Sequence, residues 1–569
     1  MTTRIIATLS LGSLLTLTAC LGGGGGGGGF VAEAPLENLT YTEPDADYVT
    51  HLPVAPNVAT LASGEADSFR IDPALPTGLT FDTLTGEITG TPTQVTAPTQ
   101  HIVTAERGDE SASVTITISV RTVASAIGGL GRDSLQGVAS LTDGSFVVTG
   151  SFEGDVRVGD FDITSDQGSR DIFFARMLPS GVVAWVKTAG GAGTDTPSGI
   201  TALSDGGFAI AGQFTDVALF GPTEPNQKFL VSDGGADIFV ARFDRTGDLV
   251  WARRAGGDDF DRSAAIASTE KDELAVTGTF TGTATFGPNE LNETIFSSKD
   301  TDGFVARFLP NGDLDWAEDL EGEGTQQPQD VTTTSSGDVV VAGFFLESLV
   351  IGVEKRGATG SQDLLIARFT SKGQLEWLQT AGGDVNHIAS ADAIGTIDGE
   401  SVVVAGFLFG KIAIDGVSFD GSFDALLVRL DAVGRLEFGS MTAGTSALPT
   451  SLSVESDNSF LIAGSLFGSV VFGPGEGNET TVDEVGNQGD GFLARYDGKG
   501  GLLWAKGVHG QETESVRDIA ANGDGRLALV GDFFGKVTFG LDETNETTLE
   551  SDQATQDGFV MQCLTNGEL

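Results

Sequence analysis

The chain has 569 residues, with 31 Lys and Arg against 80 Asp and Glu, for a formal net charge of −49 at pH 7. A field of that sign repels phosphate backbones and argues against nucleic acid as a partner, while it suits solubility and association with cations. A hydrophobic content of 40% supplies a packed core, and 81 glycines set between runs of Val, Phe, Thr, Ile and Leu favour many short strands joined by tight turns.

The N-terminus reads as an address. Arg4 is a minimal positive region, Ile5 to Leu17 is apolar but too short to span a bilayer, and the stretch ends in Leu17-Thr18-Ala19-Cys20. That ending resembles the bacterial lipobox, in which small residues admit the signal peptidase and the Cys thiol takes a diacylglyceryl group. The resemblance implies a signal peptide over residues 1–19, lipidation of Cys20 and a membrane anchor, since two or three acyl chains hold a protein firmly. Gly22 to Gly29 form an unbroken run. It lacks the preceding strand and the following Gly-Lys-Ser/Thr of a phosphate loop, so residues 20–36 read as lipidated Cys plus flexible tether. Leu21 after the Cys, where an Asp would oppose it, points by analogy with lipoproteins to the outer membrane of a cell envelope, with exposure at the cell surface as one arrangement. With Cys20 consumed, Cys563 has no partner, and a disulfide framework is excluded.

Residues 37–121 read as a separate β unit. Pro76 and Gly78 shape a turn, Leu79 and Phe81 alternate inward, Gly86 closes a hairpin before Ile88, and Ser113 to Val120 is an alternating last strand. The run from Phe69 to Asp82, continuing through Thr85-Gly86-Glu87-Ile88-Thr89-Gly90-Thr91-Pro92, resembles the hallmark of an Ig-like family of bacterial surface proteins. The resemblance implies a β-sandwich that serves as a spacer or binding module. Related cadherin-like domains bind calcium between modules; the acidic candidates here are Glu43, Asp45 and Asp47, although the cadherin ligand motifs are missing.

From residue 122 to 569 one frame recurs. Asp171, Asp237, Asp302, Asp363, Asp424, Asp490 and Asp557 stand five residues before Arg176, Arg242, Arg307, Arg368, Arg429, Arg495 and Gln562. Five residues further on come Gly181, Gly247, Gly312, Gly373, Gly434, Gly500 and Gly567, and nine after the Arg come Trp185, Trp251, Trp316, Trp377, Phe438 and Trp504. Short strands at this period mean blades of a propeller. A strand-two glycine (Gly150, Gly212, Gly278, Gly343, Gly406, Gly464, Gly531) is expected to let neighbouring blades approach. The large residue two positions on (Phe152, Phe214, Phe280, Phe345, Leu408, Leu466, Phe533) is expected to fill the wedge between them. The near-continuous apolar run from Ser401 to Phe409 suits a strand buried on both faces. The last repeat stops where its outer strand should begin, and Val123 to Gly129 aligns with Trp185 to Gly191. The fold expected is therefore all-β: a small Ig-like sandwich, then a seven-bladed β-propeller closed by an N-terminal strand. The repeats resemble the bacterial seven-bladed propeller repeat family (SBBP), which implies architecture more than activity. The recurrent Asp and Arg read as a structural hydrogen bond or ion pair repeated in each blade.

Short first and third turns lie on one face of such a ring, and long, variable second and fourth connections lie on the other, where binding is usually built. That face collects Asp195, Asp258, Asp259, Asp261, Glu321, Glu323, Asp384, Glu512 and Glu514. Among these, Asp258, Asp259, Asp261, Glu321, Glu323 and Asp384 are the candidates to hold Ca2+, which wants several oxygens. His51, His101, His387 and His509 show no metal-ligand spacing, and no catalytic motif is present. The reading is a monomeric, non-catalytic binding or assembly module with an envelope protein or glycan as partner. An exported carboxylate-dependent glycan hydrolase or lyase and a calcium-dependent adhesin are the alternatives.

Overall fold

The computed structural model describes residues 34–49, 53–92, 96–121, 124–179, 181–383, 385–486, 488–523, 525–541, 546–551 and 555–565. The lipobox, Cys20 and the glycine run lie outside the described residues, as do Val123, Asp384 and Gly567.

The N-terminal unit is a β-sandwich. Asp45–Val49 runs parallel to the end of Glu110–Arg121, which pairs in turn with Thr96–Arg107 and then Ser68–Asp72. Glu37–Tyr41 pairs with Ala59–Ser63, and the short hairpin Leu79–Phe81 with Ile88–Gly90. Leu39, Tyr41, Ile88, Val103, Ile116, Ile118 and Val120 form the core between these layers. Gly86 sits at φ 74°, and a Cβ there would lie 2.8 Å from the Phe69 ring. The hairpin can close over that ring only with hydrogen at this position. Glu43 and Asp45 are exposed on the outside of the sandwich.

Propeller-like four-stranded antiparallel units follow. Unit two shows the plan: Thr196–Ala202, Phe208–Phe214, Asp237–Phe243 and Leu249–Gly257, each paired with the next. Among the described residues there are seven such units. The seventh (Glu514–Ala521, Arg526–Phe534, Gln556–Leu564) takes its fourth strand from Ala124–Gly129, in the register Gly558↔Ile127 to Met561↔Ala124. The first strands contact one another in sequence, and that of unit seven contacts that of unit one.

Packing between units pairs small with large. Ala209 and Ala211 on one side of a second strand meet Leu274, Val276 and Phe280 of the next unit. The large residues after the strand-two glycine do fill this space. The glycines themselves have another job. A Cβ on Gly406 would strike the carbonyl oxygen of Ser390, and one on Gly212 that of Thr196. Both carbonyls belong to the first strand of the same unit, beside a bulge at Ala391/Ala393 or Pro197/Gly199. The glycine therefore admits the bulge of its own unit rather than the neighbouring unit.

The frame Asp and Arg do not meet. They occupy opposite ends of the third strand, about 17 Å apart at some 3.3 Å per residue. Each Arg reaches acids at the short-turn face: Arg242 pairs with Asp205 at 2.7 Å, Arg307 with Asp315 at 2.7 Å, Arg368 with Asp338 at 2.8 Å and Arg495 with Glu455 at 2.6 Å. Arg176 pairs with Asp143, and Arg429 with Asp398. Several also cross to the next unit. Arg242 Nη1 and Trp251 Nε1 both donate to the carbonyl of Pro310, each at 2.9 Å. Arg368 Nη1 and Trp377 Nε1 both donate to that of Ala432, at 3.3 and 3.1 Å. Arg and Trp thus form a clip between units, which is why they recur together. Gln562 lies buried in the Arg position of the last unit.

Candidate functional site

The long-connection face is built by hairpins. Each connection between second and third strands reaches back over the outer strand of the preceding unit. Val217–Phe220 pairs Gly190↔Leu219 and Gly191↔Ala218, and Leu274–Phe286 pairs Gly256↔Thr285 and Gly257↔Ala284. The Gly-Gly that ends an outer strand is the crossing point, because a Cβ on Gly191 or Gly257 would occupy the space of the carbonyl oxygen of Val217 or Thr283.

Beneath these crossings lie carboxyl pairs. A Cβ on Gly190 would be 2.6 Å from Asp171 Oδ1 and 2.9 Å from Asp195 Oδ2, so the two acids flank the glycine. Asp195 accepts the Gly191 N–H at 2.8 Å and Asp171 accepts the Asp166 N–H at 2.6 Å. Burial pushes Asp171 up to about 6; burial, with the charge of Asp171 added, pushes Asp195 up to about 7. Asp237 and Asp261 repeat the arrangement at about 6 and 7, mainly through burial, and Arg254 Nη1 lies 2.8 Å from Asp237. In unit six Glu514, pushed by burial and then by Asp490 to about 8, stands beside Asp490, which His509 Nδ1 contacts at 2.6 Å. Asp133, raised by burial to about 6, faces Asp557 where the last unit meets the first. The same position, 24 residues after the frame Asp, holds Gln326, His387 and Leu448 in units three to five. His387 Nε2 lies 2.8 Å from Asp363. In unit three the raised acid is instead Asp319, pushed by burial and by Asp302 to about 8. These groups join units together: a buried carboxyl beside a second one is held toward its protonated form, because burial and the neighbouring charge both disfavour ionisation.

The face thus divides the acids that composition grouped. Asp195, Asp261 and Glu514 are fully buried under the crossings. Asp258, Asp259, Glu321, Glu323 and Glu512 are exposed, and Asp384 lies outside the described residues. Among the described residues no three His, Cys, Asp or Glu side chains converge to hold a metal ion. Of the five candidate Ca2+ ligands that are described, Asp261 turns inward to Gly257 and Thr281 while Asp258, Asp259, Glu321 and Glu323 stay outside. The exposed acids remain free to attract cationic groups by their field.

Sequence reasoning missed two features. Asp330 and Asp518 stand on first strands and accept backbone N–H groups from the adjoining units, Ile394 and Val138, each at 2.8 Å. Burial pushes them to about 7 and 6. Their common place, about 28 residues after frame Asp302 and Asp490, is the signal that could have marked them. The second is a cluster of aromatic rings on the long-connection face of unit five. The strand expected to be buried on both faces to Phe409 is buried only to Leu408, apart from half-buried Phe407; Phe409 is exposed.

Fold and site together define an all-β protein in which an Ig-like domain precedes a propeller-like repeat array whose long-connection face stands open. One comparison bears on the Ig-like part. Residues 38–121 match the family model described as "Putative Ig domain". The chain is similar to an uncharacterised WD repeat-containing protein, L264, of Acanthamoeba polyphaga mimivirus, at 19% identity over 57% of this chain and 28% of the relative. It is also similar to the regulatory protein FlaEY of Caulobacter vibrioides, at 24% identity over 70% of this chain and 42% of the relative. The chain spans less than half the length of either. Among solved structures, an auxiliary nutrient binding protein from Bacteroides thetaiotaomicron covers 94% of this chain and 98% of its own, at 9% identity and a TM-score of 0.30; a likeness of that depth carries no argument about function.

Proposed function

We propose that this chain is a lipid-anchored protein of the bacterial cell envelope. Held at the outer membrane through Cys20, it carries a closed seven-bladed propeller on an Ig-like spacer, as a binding or assembly module without catalysis of its own. Closure is supported by the pairing of Ala124–Gly129 with the final strand and by the cyclic contacts of the first strands. The anchor is supported by Leu17-Thr18-Ala19-Cys20 followed by the glycine tether.

One observation carries the binding reading. Asp195, Asp261 and Glu514, raised acids of the kind suited to acid–base chemistry, lie at 0% exposure beneath backbone crossings where a substrate cannot reach them. What the open face offers instead is a rigid frame bearing connections of varied length and composition, the usual construction of a recognition surface.

The test uses the full-length chain against neutral and anionic envelope glycans and purified envelope proteins, with binding and turnover followed together. Binding without product release is the expected result. Turnover that Asp258→Asn with Asp259→Asn abolishes while binding persists would replace this reading with that of a carboxylate-dependent glycan enzyme. In cells, Cys20→Ser is expected to move the protein from the membrane to the soluble fraction; retention in the membrane would remove the anchor.

A further inference from the structure

We propose that three stacked phenylalanines at the base of the unit-five hairpin form a platform for a neutral pyranose ring of an oligosaccharide. This names the ligand class of the binding module argued above and rests on that reading.

The hairpin joins Ser401–Ile414 to Val417–Leu430, and a bulge interrupts its register between Leu408 and Phe409. Phe423 is the extra residue. It stands at φ 74°, left-handed backbone that an aromatic side chain rarely adopts. Unit six has the same conformation at the matching position, one residue before the frame Asp, but there the residue is Gly489 at φ 97°. The other five units place Arg170, Ala236, Thr301, Gln362 and Gln556 there, and none is left-handed. Unit five thus fills a glycine-type position with the largest simple hydrophobic ring. Such strain persists where the surroundings hold it and concentrates at binding sites.

The strain brings a third ring onto the two carried by the strand. The Phe423 ring lies 4.6 Å from that of Phe409 and 6.5 Å from that of Phe407, tilted 26° to each. Phe409 and Phe423 remain 37% and 39% exposed. Burial therefore does not account for the stack, which leaves open aromatic surface beside polar groups. Ser422 is the cross-strand partner of Phe409, Lys411 of Asp420, and Ala413 of Ser418. The face of the hairpin is accordingly aromatic at its base and hydroxylated and charged along its length.

Charge selects the occupant. A net charge of −49 opposes an anionic glycan or phosphate. Lys411 stands across the hairpin from Asp420, so the charges beside the rings balance and do not select a cation there. A purely apolar segment would take water from Ser418 and Asp420 without replacing it. A neutral pyranose fits on both counts: its axial C–H face is apolar and flat, and its hydroxyls lie at the edge, where Ser422, Asp420 and Lys411 supply donors and acceptors.

The experiment measures binding of the full-length chain to neutral hexasaccharides of glucose, mannose and N-acetylglucosamine, with heparin and polylysine alongside. It compares the parent with Phe423→Gly and Phe409→Ala. The expected result is binding to at least one neutral hexasaccharide, weakened tenfold or more by each variant, with Phe423→Gly melting no lower than the parent because the strain is gone. Glycan binding that both variants leave unchanged overturns the platform while the binding module stands. Absence of neutral-glycan binding, polylysine binding lost in the variants, or self-association lost in Phe409→Ala each overturns the platform and assigns the rings to nothing, to a cation or to a second copy respectively.

Discussion

Trp377 lies directly over Gly434 of the following unit: a Cβ on that glycine would be 2.7 Å from Cδ2 of the indole. The same relation joins Trp251 to Gly312, Trp316 to Gly373 and Phe438 to Gly500. The frame's Trp and Gly belong to neighbouring units rather than to one, and their spacing in the chain records a contact that closes one repeat against the next.

Gly434→Ala is expected to destabilise the protein by about 2–3 kcal/mol, since φ is 80° there and the methyl group displaces the ring. Gly416→Ala, also at φ 80° but with open space around it, should cost only about 1 kcal/mol. Chemical denaturation of the two variants tests the difference; equal losses would show that the indole contact contributes nothing.

Phe438→Trp is expected to stabilise by roughly 0.5–1 kcal/mol. Arg429 Nη1 already donates to the carbonyl of Gly498 at 2.7 Å, and in two other units the indole N–H adds a second donor to the matching carbonyl. An unchanged or lower denaturation midpoint would mean that the site has adapted to phenylalanine.

Stability should fall as pH rises from about 4 to 8. Asp195 and Asp261 have folded values of about 7 and Glu514 about 8, above the unfolded values near 4. The folded state therefore holds protons that the unfolded state has released. Each such group costs roughly 1.4 kcal/mol per pH unit between its two values. Below about pH 4 the order reverses, because Asp143 and Asp457 are held low mainly by Ser145 and Ser459 and that contribution is lost on protonation. Urea midpoints across this range should peak near pH 4, and Asp195→Asn should flatten the fall above it. A midpoint rising steadily to pH 8 would contradict the raised carboxyls.

Ile127→Ala is expected to cost about 2–4 kcal/mol, as for a core aliphatic residue. Ile127 is buried against Val138, Val156 and Val560 although it lies far from Val560 in sequence. Thermal unfolding indistinguishable from the parent would mean that Ala124–Gly129 does not pair with the last strand in solution.

Much of the architecture was legible because repetition supplies its own alignment. Seven copies of one spacing exposed the strands, the short turns and the missing outer strand. An Ig-like unit announced itself through Pro76, Gly78 and Gly86, whose backbone demands are local. The candidate site was far less legible. Loop lengths put Asp195, Asp259 and Asp261 on one face, yet Asp195 and Asp261 lie beneath a crossing strand and Asp259 lies outside it. Only the pairing of a hairpin with the preceding unit decides which acids lose their water.

By itself, then, the sequence determined the all-β class, the repeat and the order of its strands, since these follow from side-chain alternation and turn residues that act over a few positions. The tertiary structure decided the partners. It sent each frame Arg to turn acids instead of the frame Asp, set each Trp on the next unit's glycine, and turned Phe423 outward to stack on Phe409. The physical reason is that these contacts join residues some 60 positions apart or across a bulge, where register and close approach, rather than local spacing, fix what each side chain meets.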